Sequence, residues 1–167
     1  MMDPELLGEL IDRYAAALAL YARQWCSAPD DVVQESFLKL VQQPEPPEQP
    51  VAWLYRVVRN GAISQARSSR RRQIHEARAA ERAATWFIPP DDPTGLDVAR
   101  VTAILAELPG EQREAIVAHL WGGLTFEQIG ELAGSSAATA YRRYTAGLAA
   151  LRERLGVPCP DRTTRTL

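Results

Sequence analysis

The stretch "LTFEQIGELAGSSAATAYRRYTAGL", residues 124–148, decides the fold of the C-terminal part of this chain. Two short runs with helical periodicity are interrupted at Gly134, and glycine readily adopts the left-handed backbone of a tight turn. Thr125 is followed three residues later by Gln128, the pattern of a capping box at the start of a helix. The stretch therefore predicts two helices joined by a turn.

These two helices have distinct apolar and polar faces. The predicted inward positions are Phe126, Ile129 and Leu132 on the first helix and Ala137, Ala140, Tyr144 and Leu148 on the second. Either Ser135 or Ser136 is expected to cap the second helix. Its outward positions are polar or basic, namely Ser136, Thr139, Tyr141, Arg142, Arg143 and Thr145. Such a layout suits a helix-turn-helix that enters the major groove of DNA, and it suits equally an ordinary helix pair with solvated arginines.

Helical periodicity dominates the rest of the chain, and strand patterns are almost absent. Asp3-Pro4 is a plausible N-cap and first residue of one long helix, and Pro29 begins a second. A third helix is expected from about Val51 into a basic run, and two more over about residues 97–108 and 110–121. The sequence thus predicts an all-α fold.

The proline-rich stretch "TWFIPPDDPTGL", residues 85–96, is typical of a linker between domains. We predict a helical domain over residues 1–84, a flexible linker over 85–96, a second helical domain over 97–156 and a disordered tail over 157–167. Packing of the two domains against each other would hide their basic faces, and the sequence alone leaves that arrangement open.

The charge of the chain is unevenly distributed. The 167 residues are 46% hydrophobic and carry a net charge of −2, which indicates a globular protein. However, residues 61–82 hold 6 Arg against 2 Glu, and residues 125–167 hold 6 Arg against 4 acidic side chains. Local charge, more than the total, attracts a polyanion, so the acidic total is weak evidence against nucleic-acid binding.

The sequence lacks the residues that several functional classes require. The sequence has no apolar run of membrane-spanning length and no secretion signal, which predicts a cytoplasmic protein without a membrane partner. Cys26 and Cys159 are isolated, and His75 and His119 have neither metal-ligand spacing nor a neighbouring nucleophile. We therefore expect no cofactor, no metal and no enzymatic activity.

The longer stretch "LPGEQREAIVAHLWGGLTFEQIGELAG" resembles region 4 of bacterial sigma factors, in particular the extracytoplasmic-function (ECF) group of the sigma-70 superfamily. The resemblance covers about residues 105–155. It implies that the last helix recognises the minus-35 promoter element, through the six outward residues named above. Tyr141 stands where the family often has a basic residue, and Ala146-Gly147 replaces a basic stretch, so no particular minus-35 sequence is implied.

A second resemblance lies in "DDVVQESFLKLVQ", residues 30–42, which is similar to sigma region 2.2. It implies a helix that docks on the clamp coiled coil of the largest subunit of core RNA polymerase. The periodicity places Val33, Phe37, Leu40 and Val41 inward, and it leaves as docking candidates Asp31, Gln34, Glu35 and Leu38. A solvated helix face is the alternative.

A third resemblance covers "AWLYRVVRNGAISQARSSRRR", residues 52–72, which is similar to sigma regions 2.3 and 2.4. It implies contact with the melted minus-10 element, for which the candidates are Arg56, Arg59, Asn60, Arg67, Arg70 and Arg71. Trp53 and Tyr55 could stack on bases, although packing in the core is favoured for Trp53. The proline-rich loop at residues 42–50 lies where the family captures a base. A solvated helix end is the alternative for the arginines.

Together the resemblances imply an ECF-type sigma factor that directs promoter recognition and transcription initiation. The implied partners are core RNA polymerase, through its clamp coiled coil and flap, and promoter DNA, with an anti-sigma factor as a further candidate. One alternative is a helix-turn-helix regulator without initiation activity. Another is an interaction protein that binds polymerase or an anti-sigma factor without recognising promoters. Asn60 with the Arg70–Arg72 run favours the sigma factor, because a simple regulator needs no strand-capturing domain.

Overall fold

The computed structural model describes residues 3–75 and 98–156, which form seven α-helices and no β-strand. The helices are α1 Pro4–Ala22, α2 Pro29–Val41, α3 Pro50–His75, α4 Val98–Glu107, α5 Gly110–Leu120, α6 Phe126–Ala133 and α7 Ala137–Leu155. The predicted all-α fold of two small helical domains is confirmed. The predicted linker, tail and domain boundaries lie outside the described residues.

Local sequence signals begin the first two helices. The Asp3 side chain accepts a hydrogen bond from the Glu5 N–H at 3.1 Å, and Pro4 is the first helical residue of α1. Pro29 begins α2, with Asp30 and Asp31 in its first turn, where the helix dipole favours negative charge. Both predicted starts are confirmed.

Helices α1–α3 form the N-terminal domain by packing their apolar stripes together. Val33, Phe37 and Leu40 of α2 are buried as predicted. Val41, predicted inward, is 42% exposed, because it ends the helix at the rim of the groove between α1 and α2. From α3, the residues that are fully buried in this core are Leu54, Tyr55, Val58 and Ala62.

Helices α4–α7 form the C-terminal domain, with α6 and α7 as the helix-turn-helix. The Thr125 side chain and the Gln128 side chain make both hydrogen bonds of the predicted capping box. Gly134 adopts φ 65° and ψ 38°, the left-handed conformation that ends α6. Ser136, rather than Ser135, caps α7 by accepting the Thr139 N–H at 3.2 Å. A small apolar core supports these helices, formed by Ile104, Leu105, Leu108, Ile116 and Leu151.

Two glycines allow close backbone packing in this domain. A Cβ added at Gly130 would lie 2.8 Å from the Ser135 carbonyl oxygen, so only glycine lets the turn fold back on α6. A Cβ at Gly147 would lie 2.7 Å from Ile116 Cδ1, at the crossing of α7 over α5. The departure of Ala146-Gly147 from the family pattern therefore coincides with a packing requirement.

The two domains pack against each other, with α5 on α1 and α6 on α3. One buried cluster runs through both domains and includes Tyr21 and Tyr55 from the first and Ala118 from the second, each 0% exposed. Gly122 allows this approach, since a Cβ there would lie 2.6 Å from Tyr55 Cζ. Over the described ranges, no helix has both the length and the apolar character to cross a membrane.

Candidate polymerase and nucleic-acid interfaces

The outward face of α2 combines carboxylates with an exposed apolar side chain. Asp31, Gln34 and Glu35 are exposed, and Leu38 is 56% exposed. Glu35 forms an ion pair of 2.8 Å with Lys39, one turn along the helix, with both side chains largely in solvent. The predicted orientation of this face is confirmed, and its docking role stays a prediction.

An apolar groove adjoins this face. It lies between α1 and α2, has a volume of about 470 Å³ and includes in its lining Leu7, Ile11, Phe37, Leu38 and Val41. Ile11 and Val41 are exposed at its rim. An exposed apolar patch flanked by polar groups is typical of a protein-binding surface.

Five of the six minus-10 candidates on α3 are exposed, and the sixth, Arg59, is half-buried. Arg67, Arg70 and Arg71 are exposed, and no carboxylate within residues 3–75 and 98–156 forms an ion pair with them. Asn60 is exposed at a polar cleft of about 620 Å³ between α2 and α3, which Asp31 also lines. The result is a basic ridge with an amide at its N-terminal end.

Arg56 and Arg59 have a different environment, because carboxylates of the C-terminal domain bind them. Arg59 Nε donates to Glu114 Oε1 at 2.8 Å, and the Arg59 side chain is only 24% exposed. Its guanidinium carbon lies 5.6 Å from the centroid of a Trp25 ring. Arg56 Nη2 lies 3.8 Å from Glu131 Oε2, at a more exposed position.

Glu114 is a buried carboxylate that sequence reasoning missed. It is 6% exposed and accepts hydrogen bonds from the Tyr21 hydroxyl at 2.7 Å and from Arg59. The available signal was its position directly before "AIVA", residues 115–118, all of which are buried. A carboxylate in such a run needs partners from another element, since burying an unpaired charge is costly.

The electrostatics of this cluster follow from burial and from the Glu114 charge. Burial raises the pKa of Tyr21 well above its usual value, and the negative charge of Glu114 raises it further. Burial by itself would lower the pKa of Arg59, but the hydrogen bond and the charge of Glu114 raise it above its usual value. At neutral pH, therefore, Arg59 is a cation and Tyr21 a neutral donor.

The two aromatic candidates for base stacking differ. Tyr55 is fully buried, with its ring edge-on to that of Tyr21 at 4.9 Å, so the stacking prediction for Tyr55 is wrong in this arrangement. Position 55 lies on the side of α3 that faces Tyr21 of α1 and Gly122, which follows α5. Trp53 is half-buried and packs against the core, as favoured, and it also lines a cleft beside the proline-rich loop.

On the recognition helix α7, Arg142 is exposed and Nη2 donates to Thr139 Oγ1 at 3.2 Å. Tyr141 is 53% exposed, with its ring edge-on to Phe126 at 5.2 Å. The exposed Thr145 hydroxyl lies 3.1 Å from the Tyr141 carbonyl oxygen. These side chains lie on the outer surface, as predicted, together with the capping residue Ser136.

Arg143 is held against its own domain instead. Its guanidinium forms an ion pair of 2.9 Å with Glu111 and donates to Ser135 Oγ at 3.2 Å, and its side chain is 24% exposed. Arg142 and Arg143 are neighbours in sequence but point about 100° apart around the helix. Among the two, Arg142 is the one available to a ligand.

His119 of α5 packs against the helix-turn-helix. Its Nδ1 lies 2.8 Å from the Leu124 carbonyl oxygen, and its ring stacks on Phe126 at 4.4 Å. Tyr144 lies edge-on to the same imidazole at 4.8 Å. This aromatic cluster fixes α6 and α7 relative to α5.

Two family models match the chain. Sigma-70 region 2 matches residues 10–72, and sigma-70 region 4 matches residues 99–151. The ECF RNA polymerase sigma factor SigL of Mycobacterium tuberculosis is 31% identical over 165 residues, covering 93% of each chain. The RNA polymerase sigma factor CarQ of Myxococcus xanthus is 30% identical over 155 residues, covering 91% of this chain and 88% of CarQ.

Solved structures give the same result. The sigma factor RpoE of Bartonella quintana, in complex with the anti-sigma factor NepR, matches with a TM-score of 0.73 and 25% identity, covering 94% of this chain and all (100%) of RpoE. CnrH, in complex with the cytosolic domain of CnrY, has the same fold with a TM-score of 0.59 and 23% identity, covering 94% of this chain and 92% of CnrH. With both regions matched in order and nearly the whole length shared, the chain belongs to the ECF group of sigma-70 RNA polymerase sigma factors, which are transcription initiation factors.

Proposed function

We propose that this chain works in the cytoplasm, with no catalytic activity of its own, by placing three of its surfaces on polymerase and promoter. The outward face of α2 binds core polymerase, α3 holds the melted minus-10 strand, and α7 recognises the minus-35 duplex. The proposal is supported above all by the different chemistry of the three surfaces, which are acidic and apolar on α2, basic on α3, and polar with the exposed Arg142 on α7.

The docking surface on α2 has the composition of a protein interface. Leu38 provides an apolar anchor, and Asp31 and Glu35 provide charges that complement a basic partner helix. Interfaces concentrate their binding energy in a few such anchors surrounded by polar groups. The same face would repel DNA phosphates, so it is assigned to polymerase, in particular its clamp coiled coil.

The basic ridge on α3 suits a melted DNA strand. Arg67, Arg70 and Arg71 can neutralise phosphates and release counterions, an effect that weakens steeply as salt rises. The exposed amide of Asn60 can donate and accept hydrogen bonds to the edge of an unpaired base. The combination fits a site that follows the backbone with cations and recognises at least one base.

The N-terminal half of α7 suits the major groove. Arg142 is exposed there, and a bidentate contact from arginine to guanine contributes about 1–3 kcal/mol of discrimination. Ser136, Thr139, Tyr141 and Thr145 surround it and can bind bases or phosphates. Arg143, which pairs with Glu111, is assigned to holding the domain together instead.

Run-off transcription with purified core polymerase and genomic promoter fragments tests the proposal. At least one fragment should be transcribed above the level of core alone, and Asn60→Ala and Arg142→Ala should each lower that yield. If no fragment is transcribed although the chain binds DNA, the protein is a regulator without initiation activity. If it binds core without selecting any fragment, it is an interaction protein.

An anti-sigma factor belongs among the proposed partners. The similar structure of RpoE is a complex with an anti-sigma factor, and the apolar groove between α1 and α2 lies uncovered in the described chain. Adding such a purified protein should suppress run-off transcription, and a chain with Ile11→Asp at the groove rim should resist that suppression. Equal suppression of both chains would place the contact elsewhere.

A further inference from the structure

We propose that the described arrangement is a closed state in which two carboxylates of the C-terminal domain occupy two arginines of the minus-10 surface. Glu114 holds Arg59, and Glu131 holds Arg56. Glu114 keeps Arg59 buried, so the closed chain cannot engage the melted strand with Arg59, and Glu131 competes with DNA phosphates for the more exposed Arg56. This inference rests on the proposed minus-10 role of α3.

We call the two ion pairs Arg59–Glu114 and Arg56–Glu131 the latch. The Arg59–Glu114 pair is its buried part. Glu114 is 6% exposed and Arg59 is 24% exposed, so Arg59 cannot reach DNA without separation of α5 from α3. The Tyr21 hydroxyl, 2.7 Å from the same Glu114 oxygen, adds a donor from α1. Removing one partner of a buried ion pair leaves an uncompensated charge and strongly destabilises the protein. Because the two partners lie in different domains, the pair depends on the relative position of those domains.

The second part of the latch covers the proline-rich loop. Arg56 Nη2 lies 3.8 Å from Glu131 Oε2, and the Gln128 amide donates to Gln49 Oε1 at the end of the loop. A cleft of about 270 Å³ remains between α6 and the loop, with Trp53 in its lining. Helix α6 thus lies over the segment in which the family captures a base.

The other candidate surfaces stay accessible in the closed state. The α2 face with Leu38, the ridge at Arg67, Arg70 and Arg71, and Arg142 on α7 are all exposed. Polymerase docking and duplex recognition can therefore precede opening, whereas contact of Arg59 with the melted strand requires it. Opening restores solvent to Glu114, and both arginines exchange their carboxylates for phosphates.

The first test measures the closed population without DNA or polymerase. Spin labels at Asp12→Cys and Ala149→Cys, in a Cys26→Ser/Cys159→Ser background, report the distance between α1 and α7. Glu114→Gln/Glu131→Gln should lower the ratio of closed to open chain by about tenfold or more. The matched control Glu127→Gln/Glu153→Gln, which removes the same charge from exposed sites of the C-terminal domain, should keep the wild-type distance. An unchanged distance in the first double variant would overturn the latch.

The second test locks the closed state. Gln24, in the turn after α1, accepts a hydrogen bond from Arg113 of α5 at 3.4 Å, so Gln24→Cys/Arg113→Cys in the same background can be linked by a short bismaleimide. The same protein with both thiols capped by N-ethylmaleimide is the comparator. Linked chain should bind core polymerase as well as capped chain does but initiate at least tenfold less. Equal initiation by linked and capped chain would overturn the closed-state proposal.

The two tests separate this inference from the proposed function. If neither wild-type, capped nor linked chain initiates on any fragment, the proposed function fails, and the label distances still report whether Glu114 and Glu131 hold the domains together. If capped chain initiates and linked chain does not, both proposals stand.

Discussion

The rings of Tyr21 and Tyr55 lie 4.9 Å apart, edge to face, and only one of their hydroxyls is hydrogen bonded within the described chain. The Tyr21 hydroxyl donates to Glu114 at 2.7 Å, while the Tyr55 hydroxyl is buried without a partner among the described residues. Both side chains are 0% exposed, so burial does not distinguish them. We therefore expect the two hydroxyls to contribute differently to stability.

Removing each hydroxyl separately measures this difference. Tyr21→Phe should lower the free energy of unfolding by about 1.5–3 kcal/mol, because it deletes a hydrogen bond to a buried charged group. Tyr55→Phe keeps the ring and removes an unsatisfied polar group, so stability should stay equal or rise by up to about 1–3 kcal/mol. Urea unfolding of the three proteins at pH 7 gives the comparison. Equal losses from both changes would show that the Tyr55 hydroxyl has a partner after all.

The same two tyrosines predict a loss of stability in alkali. Burial raises the pKa of both phenols, while an unfolded tyrosine titrates at about 10. Above that pH the unfolded chain releases protons that the folded chain keeps, so the free energy of unfolding falls as pH rises. Below about pH 10 the contribution is fully present. Urea unfolding from pH 8 to 11 should show this fall, with a shallower slope for Tyr55→Phe, and a flat profile would contradict it.

Two glycine substitutions of equal size should act in opposite directions. Gly130→Ala forces a methyl group to within 2.8 Å of the Ser135 carbonyl oxygen and should destabilise the helix-turn-helix by about 1–3 kcal/mol or more. Gly8→Ala, on α1 with nothing within 4 Å, should stabilise by about 0.5–1 kcal/mol through helix propensity. Thermal unfolding checks both. A stable Gly130→Ala variant would mean that the turn can move away from α6.

Interactions that are local in sequence were predicted well, and interactions between domains were not. The capping box at Thr125 and the left-handed Gly134 depend on neighbouring residues, so their pattern is visible in the sequence. The Arg59–Glu114 pair joins residues 55 positions apart, and no local pattern indicates it. The stacking prediction for Tyr55 was wrong for the same reason, because Tyr55 packs against Tyr21 and Gly122, which are distant in sequence.

The two neighbouring arginines of α7 should give different binding phenotypes. Arg142→Ala removes an exposed guanidinium and should lower duplex discrimination at one or two base pairs, by about 1–3 kcal/mol in total. Arg143→Ala breaks the contacts to Ser135 and Glu111 and should weaken all duplexes alike while lowering stability. Titration against a set of single-base-pair variants of a transcribed promoter measures both. A uniform loss for Arg142→Ala would make Arg142 a phosphate contact.

Reversing one charge on the outward face of α2 should separate polymerase binding from folding. Glu35→Lys removes an exposed carboxylate and places two positive charges one turn apart with Lys39, which costs only a few tenths of a kcal/mol in helix stability. Affinity for core polymerase should nevertheless fall by about tenfold, because a rim charge that attracted a basic partner now repels it.

Glu9→Lys is the matched control for this charge reversal. Glu9 is exposed on α1, two residues from both Leu7 and Ile11 of the groove and therefore on the opposite side of the helix. Core polymerase should co-purify with Glu9→Lys as it does with the unchanged chain. The circular dichroism spectra of Glu35→Lys and Glu9→Lys should both match that of the unchanged chain. Equal retention of core by Glu35→Lys would remove Glu35 from the docking face and leave Asp31, Gln34 and Leu38 as its remaining candidates.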